Sequence, residues 1–98
     1  MRRLHYADVA CAARAVMQVA ASERWSFCAM LIRQAQAAEE HRLATGRSHP
    51  SWGSGSLMEV ARDHPLAPEP GFDDDAFRAA LRIVLACLRK HALSQMRS

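Results

Sequence analysis

The stretch that decides the fold runs from His41 to Met58 and reads HRLATGRSHPSWGSGSLM. Thr45-Gly46 ends a helix, because glycine readily takes the left-handed conformation that follows a last helical turn. Ser56, followed three residues later by Glu59, has the capping-box spacing that begins a new helix. The stretch therefore predicts a loop over residues 45–56 that joins two helices.

Outward from this loop, the rest of the chain also has helical spacing. Apolar residues recur with a helical period over 6–20 and 23–44, and Ser22 is the expected N-cap of the second helix. A short helix over 57–63 follows the loop. Three prolines then make 64–73 an extended connector, after which Asp73 is the expected cap of a last helix over 74–93.

No segment alternates with the period of two that marks a strand. The sequence therefore predicts an all-α protein, a compact irregular four-helix domain with three longer helices and one short helix. Its length of 98 residues is that of one domain, so residues 1–98 are expected to form a single helical domain.

The composition limits the classes of function. The net charge is +3, and basic and acidic residues are mixed along the chain, which makes nucleic acid an unlikely partner. Twelve of the 13 basic residues are arginine, a bias that anion binding or a GC-rich genome would both produce. The three cysteines have no CxxC spacing, and no long apolar run predicts a membrane span or signal peptide. We therefore expect a reduced, cytoplasmic protein.

The loop is also the best candidate for a binding site. Backbone N–H groups at a helix N-terminus attract anions, arginine adds positive charge, and tryptophan can stack on a ring. A small-anion or nucleotide site would use Arg42, Arg47, His49, Trp52, Gly53, Gly55 and Ser56. The alternative is a folded linker in which Trp52 fills the core, the glycines permit positive φ and Ser56 only caps a helix.

Three polar residues, Gln36, Glu39 and Arg42, fall among the apolar residues of the second helix. Buried polar groups need partners, so Glu39 is expected to pair with Arg42 or Arg47. Together with Ser56 and Glu59 this pair would give structural polar bracing of the loop. The alternatives are the floor of a binding site or a subunit contact.

No set of residues forms a recognisable catalytic site, and no cofactor is implied. Cys87 and His91 have a spacing that suits one metal ion, but two further ligands are lacking, so no metal site is predicted. Arg78, Arg82 and Arg89 share one side of the last helix. This side is either a solvated surface or an interface with nucleic acid or an acidic protein.

The loop pattern HRxATGRxHPxWGxGSLM, from His41 to Met58, resembles short alphaproteobacterial proteins of a domain-of-unknown-function family. Pro65-Leu66 and the later run EPGFDD over 69–74 strengthen the resemblance. The resemblance implies a small bacterial cytoplasmic domain and brings no activity or catalytic residue.

The sequence leaves three functions open. We expect a small non-enzymatic interaction or regulatory module that binds another protein or itself. The wide apolar arc of the last helix, around Phe77, Val84 and Leu88, favours a homodimer. The alternatives are the anion or nucleotide site of the loop and a nucleic-acid interface on the last helix.

Overall fold

Four α-helices occur in the residues that the computed structural model describes, 1–71 and 73–97. They are α1 (Tyr6–Val16), α2 (Arg24–Thr45), α3 (Leu57–Ala61) and α4 (Asp75–Met96), and a short 3-10 turn (Ala21–Glu23) leads into α2. The described part of the chain contains no strand, only an isolated antiparallel bridge between His49 and Gly53. The predicted all-α class, with three long helices and one short one, is confirmed.

The first two helices differ from the predicted 6–20 and 23–44 at three of their four ends. α1 ends at Val16, and the guanidinium of Arg24 then donates to the carbonyl oxygen of Val19 at 2.9 Å, within the turn that follows. Ser22 does not cap α2, because the 3-10 turn continues directly into the helix and leaves no extended residue in front of it. Gly46 follows the last turn of α2 with φ +75°, as predicted. The helix itself ends at Thr45, one residue later than expected.

The last two helices also require corrections. α3 ends at Ala61 rather than residue 63, because the N–H groups of Asp63 and His64 donate to the carbonyl oxygens of Val60 and Ala61, three residues earlier, in place of helical bonds. The cap of α4 is Asp74, not Asp73: its carboxylate accepts from the N–H of Phe77 at 3.0 Å. α4 continues to Met96 rather than residue 93, because no glycine or proline interrupts its last turns.

α1 and α4 pack against each other, α2 packs on α4, and α3 lies against both α1 and α2. Alanines at the contacts, among them Ala12, Ala35 and Ala80, are fully buried and allow the helices to approach closely. The largest fully buried side chains are Leu31, Leu57, Val16, Val60, Val84 and Cys28. The core is therefore built mostly from medium and small side chains.

The apolar side chains of the loop and of the start of α3 are only partly inside the core. Leu57 is buried, Trp52 and Met58 are half-buried against the core, and Phe72 lies outside the described residues. On α2, helical spacing places Trp25 and Leu43 on the apolar face, yet they are 56% and 70% exposed. None of the described helices has the length and apolar character needed to cross a membrane.

Candidate functional site

The loop after α2 contains a tight turn from His49 to Gly53. The backbone groups of these two residues exchange hydrogen bonds of 2.7 and 3.1 Å. Within the turn, Nδ1 of His49 accepts from the N–H groups of Ser51 and Trp52 at 3.0 and 3.1 Å. The rings of His49 and Trp52 stack with their centroids 4.6 Å apart, and His41 meets His49 edge-on at 5.1 Å. Both the backbone and the rings thus fix this turn.

Two carboxylates hold the next segment of the loop. Both carboxylate oxygens of Glu39 on α2 accept from Nη2 of Arg42, at 2.8 and 2.9 Å, and Arg47 takes no part in this pair. The guanidinium of Arg42 also donates to the carbonyl oxygen of Ser54 at 3.1 Å. From the other side, Glu59 accepts from the N–H of Ser54 at 3.1 Å and from its hydroxyl. Ser54 is therefore fixed between α2 and α3.

Gly55 permits the closest approach between the loop and α2. It is buried with φ +104°, and a Cβ there would lie 2.9 Å from the Cα of Glu39. Any side chain would be strained by the backbone conformation and would collide with the helix. The N-terminal segment covers the same point, because the N–H of Arg2 donates to the carbonyl oxygen of Gly55 at 2.9 Å.

Asp8 is a key residue of this region that the sequence analysis did not identify as a contact to the loop. It is only 5% exposed, and its carboxylate accepts from the N–H of His5 at 2.9 Å at the start of α1. Its other oxygen accepts from the N–H of Met58 at 3.0 Å and from the Ser56 hydroxyl at 3.3 Å. One carboxylate therefore satisfies unpaired donors at the N-termini of two helices. Its spacing in the first turn of α1 indicates only the local cap.

The residues predicted to bind an anion are close together but mostly occupied. Ser56 caps α3 by accepting from the N–H of Glu59 at 3.2 Å, and Arg42 is paired as described. Arg47 is exposed, and its backbone N–H donates to the Thr45 hydroxyl at 3.1 Å. The charged residues that line a cavity of about 320 Å³ beside His49 and Trp52 are Glu59, Asp63 and Arg62. The carboxylates of Glu59 and Asp63 oppose the binding of an anion in this cavity.

A larger concavity lies nearer the start of α2, and we call it the α2–α4 groove. It has a volume of about 550 Å³, and it lies between the first half of α2 and the second half of α4. Its lining residues are Trp25, Ser26, Ala29, Ile32, Arg33, Ala86, Cys87, Lys90, His91 and Ser94. Apolar side chains thus form much of the surface, and all of its charged side chains are basic.

The pKa values of two thiol or imidazole groups at the groove are shifted: those of the lining residue His91 and of Cys28, which contacts the lining residue Cys87. Burial and the nearby Met1 ammonium lower the pKa of His91, so His91 adds little positive charge at neutral pH. Cys87 contacts Cys28, and burial together with this contact raises the pKa of the Cys28 thiol. Within residues 1–71 and 73–97, no three His, Cys, Asp or Glu side chains group in a way that could hold a metal ion.

The basic residues of α4 lie outside the groove, apart from Lys90. Arg78, Arg82 and Arg89 are exposed, and Arg78 pairs with Asp75 at 3.7 Å on the surface. Exposed pairs of this kind contribute about 0–1 kcal/mol. Leu85, Leu93 and Met96 are also exposed on α4, so its outer surface is both apolar and basic.

Comparison with known protein families gives a match over most of the chain. A family model described as "Domain of unknown function (DUF7742)" matches residues 2–88. No curated protein and no solved structure matches the chain significantly.

Proposed function

The chain belongs to the DUF7742 family of domains of unknown function, and from its own geometry we propose that it is a small, non-enzymatic protein-interaction module. Its partner would bind in the α2–α4 groove. The loop over residues 42–56 then has a structural role, holding α2, α3 and the N-terminal segment together.

The observation that carries the proposal is the position of Trp25. Tryptophan is highly buried on average, yet Trp25 is 56% exposed at a groove lined by Ala29 and Ile32. Tryptophan is among the residues most enriched where protein–protein binding energy concentrates. A half-exposed tryptophan beside an apolar groove is the arrangement of an interface without its partner.

The contacts of the loop argue against the alternative function as an anion or nucleotide site. Arg42 already has a carboxylate partner in Glu39. The N–H of Met58, at the start of α3, is taken by Asp8. A phosphate would have to displace these internal acceptors, and it would also approach the Glu59 carboxylate.

The partner is either another protein or a second copy of the chain. The apolar arc that favours a homodimer is partly used within the chain, since Phe77, Val84 and Cys87 are buried in the core. Leu85, Leu93 and Met96 remain exposed on α4. Of these, only Leu93 is near the groove side of α4, seven residues after Ala86, and extends the apolar surface that a partner would cover.

We further propose that the protein is located in the cytoplasm of a bacterium. The likeness of the 41–58 pattern to alphaproteobacterial proteins supports a bacterial source. The three cysteines are unpaired thiols, as is usual in a reducing compartment. Fractionation of the source cells checks this part of the proposal.

Photo-crosslinking in the source cells tests the interaction. A photoreactive phenylalanine analogue at position 25 should give a discrete crosslinked product. The same analogue at position 43 should give none, because Leu43 is an exposed apolar residue on the same helix but outside the groove. The mass of the product separates a second copy from another protein, and either supports the proposal. Absence of a product at position 25, or equal products at both positions, contradicts it.

A further inference from the structure

The charge around the α2–α4 groove identifies the chemistry of its partner. We propose that the groove binds an acidic amphipathic helix, with apolar side chains in the groove and carboxylates against Arg33 and Lys90. This inference rests on the proposed function and adds the class of partner. Its support comes from the lining of the groove, its charge and its continuation along α4.

The groove has the surface that helix-in-groove recognition needs. Ala29, Ile32 and Ala86 present small or apolar side chains between two helices, and Trp25 stands beside them. An amphipathic helix binds such a groove through apolar residues at i, i+3, i+4 and i+7.

The apolar surface also extends beyond the groove. Leu93 is 48% exposed and follows Lys90 by three residues and Ala86 by seven, which places all three on one side of α4. A surface of this length suits a helical segment better than a small molecule.

Charge complementarity selects an acidic partner. Arg33 and Lys90 are exposed at the groove, and none of its described lining residues is acidic. The sequence of α4 strengthens this charge at longer range, because the helix contains three arginines and one lysine but only one acidic residue, Asp75. Carboxylates on the partner would meet both basic side chains and speed association.

The same charge argues against a second copy in the groove. In a two-fold symmetric dimer the same patch is used on both copies, so the basic groups at one groove would face those at the other. Like charges brought together at an interface oppose binding by several kcal/mol. Two copies of the chain are therefore not expected to associate through the α2–α4 groove.

Fluorescence anisotropy with two designed peptides tests the inference. Both labelled peptides carry leucine at i, i+3, i+4 and i+7; one has glutamate and the other lysine at the flanking positions. The glutamate peptide should bind at least about tenfold more tightly than the lysine peptide at low salt. The double variant Arg33→Glu/Lys90→Glu should reverse this preference. Both residues are exposed, so the variant should keep its fold, which circular dichroism verifies.

Two pairs of variants separate the groove from the rest of α4. Arg82→Glu changes a basic residue of α4 outside the groove and should weaken binding far less than the double variant. Ala86→Trp should block the groove without changing its charge. Ala92→Trp, at an exposed position on the opposite side of α4, should leave binding unchanged.

Several results would overturn the inference. With the peptides, these results are equal binding of both, no binding of either, or binding by Ala86→Trp that is undiminished. Tighter binding of a DNA duplex than of the glutamate peptide would also overturn it. So would a crosslinked product at position 25 that is a second copy of the chain. If neither peptide binds but position 25 crosslinks to another protein, the acidic helix is wrong and the interaction function stands. If position 25 gives no product, the proposed function itself fails.

Discussion

At the residue scale, Asp8 shows how one buried charge can be satisfied without an ion pair. Its carboxylate accepts three hydrogen bonds, from two backbone N–H groups and one hydroxyl, at the starts of α1 and α3. The positive ends of two helix dipoles lie beside it. Asp8 therefore links the first helix to the end of the loop, across about half the length of the chain.

We expect Asp8→Ala to lower the free energy of unfolding by about 3 kcal/mol, because it leaves buried donors of two helices without an acceptor. Asp75→Ala is the matched control. Asp75 is also in the first turn of a helix, but its side chain is 97% exposed, and its loss should cost less than about 1 kcal/mol. Urea unfolding of the two variants measures the difference. Equal losses would mean that the Asp8 contacts contribute little.

At the element scale, helix existence follows from local spacing, and helix ends follow from contacts that are distant in sequence. The signal that ends α2 at Gly46 lies in adjacent residues, and the structure agrees with it. The 3-10 turn that replaces the Ser22 cap depends on how the chain passes from α1 to α2. The helical period also predicts that Trp25 and Leu43 are buried, yet both side chains are exposed. The period identifies the apolar face of a helix, but it does not show how far along that face the neighbouring helices extend.

The loop shows the same division. The spacing of Ser56 and Glu59 predicts a reciprocal capping box, and the structure contains half of it. The Glu59 carboxylate instead holds Ser54, five residues earlier in the chain. The pairing of Glu39 with Arg42 rather than Arg47 is likewise decided by the position of the loop over α2. Sequence indicated which polar residues take part, but not their partners.

The backbone donors of the loop and of the start of α3 already have acceptors within the protein. Millimolar phosphate and a panel of nucleotides should leave the Tm of the protein unchanged, since Asp8 and Glu59 already accept from loop and α3 N–H groups. Differential scanning fluorimetry at constant ionic strength measures this. A rise in Tm that Arg47→Ala removes would restore the anion site. Arg3→Ala, at an exposed arginine before α1, is the control for a general loss of positive charge.

At the scale of the whole molecule, a small core makes stability sensitive to single buried groups. The radius of gyration is 13.2 Å, close to the ~13 Å expected for a folded domain of this length. Among the described residues Phe77 is the one buried aromatic ring, and the other buried side chains are aliphatic or cysteine apart from Asp8. Domains of this size are stable by only about 5–15 kcal/mol, so the ionisation of one buried thiol changes a substantial fraction of the total.

Cys28 is the thiol for which this effect should be measurable. Burial first, and then its contact with Cys87, raise the pKa of Cys28 above the ordinary 9.0. In the unfolded chain the thiol ionises near that ordinary value, whereas in the folded protein it keeps its proton. The folded state therefore binds more protons above about pH 9, and stability must fall as the pH rises past that point.

We expect urea unfolding of the wild type to lose stability above about pH 9 more steeply than Cys28→Ala, by up to ~1.4 kcal/mol per pH unit. Below that pH the thiol is protonated in both states, so the two proteins should show parallel behaviour there. Val84→Ala is the control: it also removes a fully buried side chain from the core but no ionisable group, and should lower stability equally at every pH. Parallel curves for the wild type and Cys28→Ala above about pH 9 would show that the Cys28 thiol ionises as readily in the folded protein as in the unfolded chain.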